Sequence, residues 1–402
     1  MTFSAVALAP RGVLCAALVM LAACGGGGDE DNGGNDGGNE PPPPSSFLIQ
    51  SGGNNVPERF SSDLWVRGPW AYTGTWGASP RTGRSGDVIK IWSLDATGAP
   101  TLTDSVTVPD VATVSDVQVT EDGTLLVASA ENGQNAGLYV YDLTDPRRPA
   151  LRDTVMVEQG LHTATVSDIN GGRYVFAARN PANPALVIYD ITDPDHVAGV
   201  SVVPIPPSYG IHDTFVRDGL AFVCAWNTGV IIYDVGNGLR GGSPAQPVEV
   251  SRLLTASNNV PGGPAVHNGW WFDNPVRNEK RYLFLGQEGS GILGSSSSGD
   301  LHVVDVSDLV HPREVAFFHL TGAGTHNFWM DEARQVLYMS YYNGGVVALD
   351  VSGVLEGNLV NRQIAQVQPG GMGNTYVWGV QLANGSLYAI DMLSGLWQLK
   401  LP

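Results

Sequence analysis

An apolar pentad ending in Asp recurs along this 402-residue chain, and a repeat of that kind constrains the fold more than any local propensity. The clear copies are Leu138-Tyr-Val-Tyr-Asp142, Leu186-Val-Ile-Tyr-Asp190, Val230-Ile-Ile-Tyr-Asp234, Leu301-His-Val-Val-Asp305 and Val346-Val-Ala-Leu-Asp350. Fainter ones begin at Val88 and Gly395. Val, Ile, Leu and Tyr in an unbroken run suit a strand buried on both faces. The residues behind it, as in Asp142-Leu-Thr-Asp-Pro146, are turn chemistry: short carboxylates that cap backbone N–H groups, then a proline that fixes φ. The five pentad aspartates are therefore structural before they are anything else.

A second apolar run precedes each pentad, such as Leu125-Leu-Val-Ala-Ser129 or Tyr282-Leu-Phe-Leu-Gly286, and a third precedes that. The third runs align at Ser62, Ser115, His162, His212, His267, His326 and Trp378, a spacing of about fifty residues. Seven such units, each of four short strands, predict an all-β chain folded as a seven-bladed β-propeller. The last unit ends directly after its pentad and lacks an outer strand. Phe47–Pro57 stands ahead of the first unit and matches the end of the fourth, Leu253–Pro261. The N-terminal segment is thus expected to supply the missing strand and close the ring, which removes two exposed sheet edges. Composition agrees: 51 Gly, 26 Pro and only 15% charged residues fit many strands and tight turns.

Residues 1–23 read as a signal segment, with Arg11 ahead of an apolar stretch too short to span a bilayer. The stretch ends in Leu21-Ala-Ala-Cys24, which resembles the lipobox of bacterial lipoproteins and implies a lipid on Cys24. Gly25 follows, and by the same resemblance favours delivery to the outer membrane. Residues 24–46, rich in Gly, Asp and Pro, have no apolar side chain to bury and are expected to be a disordered tether. The folded domain is then 47–402. With Cys15 and Cys24 accounted for, Cys224 is the one thiol left, in an apolar run that predicts burial. The pentads themselves are similar to the LVIVD repeat of secreted and lipid-anchored bacterial β-propellers. That resemblance spans residues 47–402 and implies the fold and an envelope location, but no chemistry.

The aligned positions open the innermost strands, at one end of the channel a propeller encloses. They are Ser62-Asp63, Ser115-Asp116, His162-Thr163, His212-Asp213, His267-Asn268, His326-Asn327 and Trp378-Gly379. Four of the eight histidines share this register on four consecutive units. One reading has these polar residues bonding to loop backbone. A second makes them a channel-mouth site for a small polar ligand. In the third, His162, His212, His267 and His326 ligate a transition metal such as Zn, Fe or Cu, with Asp213, Asn268 and Asn327 orienting the rings. Trp270, Trp271, Phe328 and Trp329 behind the His-Asn pairs read as packing between blades.

No nucleophile elbow, HExxH helix, P-loop or CxxC pair is present. Gly289–Gly299 reads as a flexible surface loop, and Arg81, Arg84 and Lys90 as solvated surface. The net charge of −18 excludes nucleic acid as a partner. The expected function is a membrane-tethered binding module for a protein, glycan or small molecule. The alternatives are a metal-dependent envelope enzyme, for instance an oxidoreductase, and a structural envelope component.

Overall fold

The computed structural model describes residues 47–77, 81–94, 100–180, 183–205, 210–256 and 263–401. The expected signal segment, Cys24 and the Gly/Pro-rich stretch lie outside the described residues. Within them the chain is almost wholly β, in seven antiparallel blades of four strands, the first six running outward from the axis in chain order. The innermost strands are Phe60–Arg67, Val111–Val119, Ala164–Ile169, Thr214–Arg217, Ala265–Trp271, Phe328–Asp331 and Val377–Ala383. The pentads form the third strands, including Val88–Ser93 and Gly395–Lys400.

Pleating explains why the pentads are almost wholly apolar before their Asp. Successive side chains leave a strand on opposite faces. Leu138 and Val140 join the apolar cluster shared with the third blade, whereas Tyr139 and Tyr141 join the one shared with the first. Leu186 and Ile188 face the fourth blade while Val187 and Tyr189 face the second. The buried apolar residues accordingly fall into seven clusters, one at each junction between neighbouring blades.

The turns behave as their sequence implies. Asp142, Asp190, Asp305 and Asp350 each accept the N–H of the residue two positions on, at 2.7–3.0 Å. Asp234 accepts four, from Gly236, Asn237, Gly238 and Arg240. Those donors outweigh the cost of burial and hold its carboxyl at about 2.

The N-terminal strand Leu48–Gly52 pairs with Gly395–Lys400 and completes the seventh blade. A shared irregularity identifies it as a true outer strand. In the first six blades the third and fourth strands slip by one residue at the same pentad position, as between Val140 and Tyr141 or Ile188 and Tyr189. The N-terminal strand slips at the corresponding place, opposite Gln398 and Leu399. Such a bulge adds twist to the outer strand. Phe47 anchors the closure by packing on Tyr338 of the sixth blade, with ring centroids 6.1 Å apart.

Two local expectations are corrected. Residues 289–299 are not a loop: the second strand of blade five continues through Tyr282–Ile292 and returns along Ser296–Ser298 as a hairpin. Ser and Gly there disguise a strand whose pairing partner is its own return segment. Lys90 is not solvated either. It is buried and ion-paired with Glu58 at 2.6 Å, while Arg81 lies over the Phe60 ring.

Deleting residues 47–53 in place should expose one sheet edge on the seventh blade and uncover Tyr338. The expected outcome is a thermal midpoint at least about 5 °C lower, with concentration-dependent association in light scattering.

Candidate functional site

The residues expected at the channel mouth do converge on the axis, with one exception. Asp63, Ser115, Asp116, His162, Thr163, His212, Asp213, Asn268, His326, Asn327 and Trp378 all line one central cavity of about 220 Å³. Ser62 turns away from it: fully buried, it donates to the Val114 carbonyl at 2.6 Å and ties the first blade to the second. His267 sits behind the cavity wall between its neighbours, its ring centroid 3.7 Å from that of His212 and 4.1 Å from that of His326.

The channel is layered. At one end lie the four imidazoles. His162 and His212 bring their Nε2 atoms within 2.6 Å of each other, and the His162 Nδ1 meets the Glu131 carboxylate at 2.8 Å. The Glu288 carboxylate lies 3.8 Å from His212 Nε2 and 3.7 Å from His267 Nε2, and it accepts a hydrogen bond from Tyr342. Trp226 stacks on His212 and Trp378 packs against His326, with centroids 5.4 and 4.3 Å apart. Tyr342 stacks on Tyr376 at 4.2 Å, and the Tyr376 hydroxyl reaches the carbonyl of Ser296 in the hairpin from blade five. Hairpin and tyrosines together cover this end, and His267 and His326 are buried completely.

One residue further along each strand comes an oxygen-rich layer. Asp116 accepts the Ala164 N–H at 2.7 Å, and Thr163 donates to the His212 carbonyl. Asn327 of blade six reaches Asp63 of blade one at 3.0 Å, straight across blade seven. Gly379 makes this reach feasible: a Cβ there would lie 2.8 Å from the Asp63 carboxylate. The third layer is an aromatic and amide collar of Trp65, Gln118, Trp270, Trp329 and Gln381, beyond which the channel widens toward Arg67, Glu121 and Asp168. Trp271 and Phe328 pack between blades as expected. Trp270 and Trp329 are only half-buried and face the channel, their centroids 5.4 Å apart.

Electrostatics divide the layers. Burial and the neighbouring imidazoles keep His212 and His267 well below the usual histidine range, and burial holds His326 at about 3. For His162 burial opposes the charge, but Glu131 overcomes it and lifts the ring to about 9. Burial, with the Asp116 charge second, raises Asp63 far above the ordinary carboxylate range and Asp213 to about 7. Cys224 is a buried free thiol whose pKa burial also raises, so it is inert packing.

Glu131, Glu288, Trp226 and Tyr342 were not legible as site residues from the first-strand pattern. A signal existed in the pairing. Each lies two residues beyond the second-strand position opposite the Asp or Asn of its own unit, where Asp116 pairs with Ser129 and Asn268 with Gly286. Trp226 and Tyr342 also hold left-handed backbone, with φ of 52° and 40°. Bulky residues seldom accept that conformation, and it concentrates at sites.

A carboxyl whose pKa is raised on folding binds its proton more tightly in the folded state. Its contribution is therefore favourable in acid and fades as pH rises through the raised value. Asp63→Asn keeps the acceptor for Asn327 and removes the repulsion with Asp116. Its denaturant midpoint should match wild type near pH 4 and exceed it increasingly toward pH 8, by about 1 kcal/mol or more.

Among known proteins, the family model of the LVIVD repeat matches residues 296–319, the end of the blade-five hairpin and the strands after it. No curated protein matches the chain. Solved structures that share the fold include the C-terminal WD40 domain of Sif2, with 13% identity and a TM-score of 0.52, and Saccharomyces cerevisiae Sqt1, with 8% identity and 0.53. The first alignment covers 85% of this chain and 81% of the other, the second 86% and 82%. At that identity the likeness speaks for architecture alone. Blades, repeat and structural neighbours together make this chain a β-propeller repeat protein.

Proposed function

We propose that the chain is a lipid-anchored binding module of the cell envelope that takes a small polar ligand in its axial channel. One observation carries this reading: the seven inner strands line a single cavity with oxygen acceptors above a collar of indoles. Clustered Asp and Asn oxygens recognise a donor-rich ligand, and indole faces stack on sugars or on organic cations. The size of the cavity favours a small molecule over a protein or a glycan chain. Entry is from the collar side, since the hairpin and tyrosines cover the imidazole end.

Anchoring rests on the Leu21-Ala-Ala-Cys24 pattern and the polar tether behind it, with Gly25 favouring the outer membrane. In a bacterial host that processes lipoproteins, the full chain should partition into the detergent phase of a Triton X-114 separation. Cys24→Ala should shift it to the aqueous phase. Partition unchanged by that substitution would remove the anchor from the proposal.

The channel is tested by tryptophan emission during titration with monosaccharides, amino acids and polyamines. A binder should change the emission, and Trp270→Ala or Asp116→Asn should weaken it about tenfold or more. A folded protein that answers to none of these probes speaks against the small-ligand reading. The second reading, a metal-dependent envelope enzyme, is favoured by the unpartnered imidazoles, and turnover lost with any one of them would promote it.

A further inference from the structure

Histidine nitrogens are good hydrogen-bonding groups, and leaving one buried without a partner forfeits its hydration with nothing in return. Among the described residues four such atoms lie together at the covered end of the channel: both ring nitrogens of His267, Nδ1 of His212 and Nε2 of His326. A sequence that buries His267 completely, with only Asn268 and the Glu288 carboxylate at 3.7 Å to meet its ring nitrogens, points to a partner outside the protein atoms.

The flanking rings show what that reason is. The Nδ1 of His326 faces the Trp378 carbonyl at 2.6 Å, and the Nδ1 of His162 faces Glu131 at 2.8 Å. An acceptor at Nδ1 holds a proton there and turns Nε2 toward the cluster as the ligating atom, from which an ion would displace any second proton, the arrangement that orients metal-ligating imidazoles. For His162 that nitrogen lies 2.6 Å from His212 Nε2. Glu288 offers a carboxylate oxygen at 3.8 Å from His212 and 3.7 Å from His267, and one donor atom from each of these three residues falls within 4.8 Å of the others. Donors bound to one ion at about 2.0–2.1 Å stand roughly 3–3.4 Å apart, so the observed separations bracket the required one.

We propose that His162, His212, His267 and Glu288, completed by His326, hold one first-row transition-metal ion of the Zn, Cu, Fe or Ni class at the covered end of the channel. Imidazole-rich donors select these ions over Ca and Mg, which take oxygen sets. Glu131 and the Trp378 carbonyl orient the outer rings, and Tyr342 positions Glu288. The site faces the oxygen layer of the channel, where a ligand would meet the ion. It stands independently of the lipid anchor and of the small-ligand reading.

The test is metal content and spectroscopy of the full chain purified in detergent, stripped with chelator and reloaded separately with Zn, Cu, Fe and Ni. About one equivalent of at least one of these should be retained after desalting and raise the melting temperature. Cobalt(II) should give visible absorption bands of nitrogen ligation. His267→Ala and His326→Ala should lower affinity by about 10–100-fold or more, while exposed His196→Ala and His311→Ala should leave it unchanged. Should an alanine variant fail to fold, Glu288→Gln, which keeps shape and the Tyr342 contact, must still weaken binding with an unaltered circular dichroism spectrum. Folded wild type that retains less than about a tenth of an equivalent of all four metals overturns the proposal. Wild-type affinity in Glu288→Gln or in a folded His267→Ala overturns it equally.

Discussion

Everything in this molecule depends on the pleat of its third strands. A strand such as Gly137–Asp142 sends Leu138 and Val140 to one neighbouring blade and Tyr139 and Tyr141 to the other. No blade can bury both faces alone, because each face is completed by the next blade. That requirement passes around the ring until the last blade must meet the first. The seventh blade does so with a strand from the opposite end of the domain, bulged at the position where its six counterparts are bulged. Closure therefore follows from the burial of alternate side chains rather than from a separate device.

Closing the ring has a chemical consequence. Seven inner strands start around one axis, so equivalent residues of successive units are forced into contact. Blades three to six each place a histidine there, and their ring centroids come within about 4 Å from one to the next. Burial disfavours positive charge on these rings and the neighbouring imidazoles add to it, which holds three of them below the usual histidine range. The charge that His162 gains is answered by Glu131 outside the cluster. Blades one and two place serines at the same register, and their aspartates one residue on gather where Gly379 leaves room for Asn327 to reach Asp63.

Much of this was legible in the sequence because repeat spacing reports three-dimensional equivalence. The pentads, the closing strand and the register of His162, His212, His267 and His326 all follow from periodicity along one dimension. What escaped depends on relations between strands. Glu131 and Glu288 belong to second strands, and their place in the site is set by antiparallel pairing with Asp116 and Asn268 plus two residues of overrun. The hairpin over the imidazoles escaped because Gly and Ser are poor strand formers and only their mutual pairing holds them extended. Trp270 and Trp271 show the limit most plainly. Adjacent and alike, they point to opposite faces, so one lines the channel while the other packs on Phe222.

Sequence equivalence and chemical equivalence part company within the ring. A protein using this channel only as a polar lining would have no cause to confine nitrogen to blades three to six and carboxylates mainly to blades one, two and four. The division gives the axis two unlike sides at its covered end and a shared oxygen layer below. It also explains the stray acid of blade five. Four neighbouring imidazoles supply lone pairs but no negative charge, and Glu288, held by Tyr342 from the next blade, is the carboxylate nearest to both His212 and His267. Tyr342 presents its hydroxyl from the turn between the second and third strands of blade six, where it holds the same left-handed backbone as Trp226 in blade four.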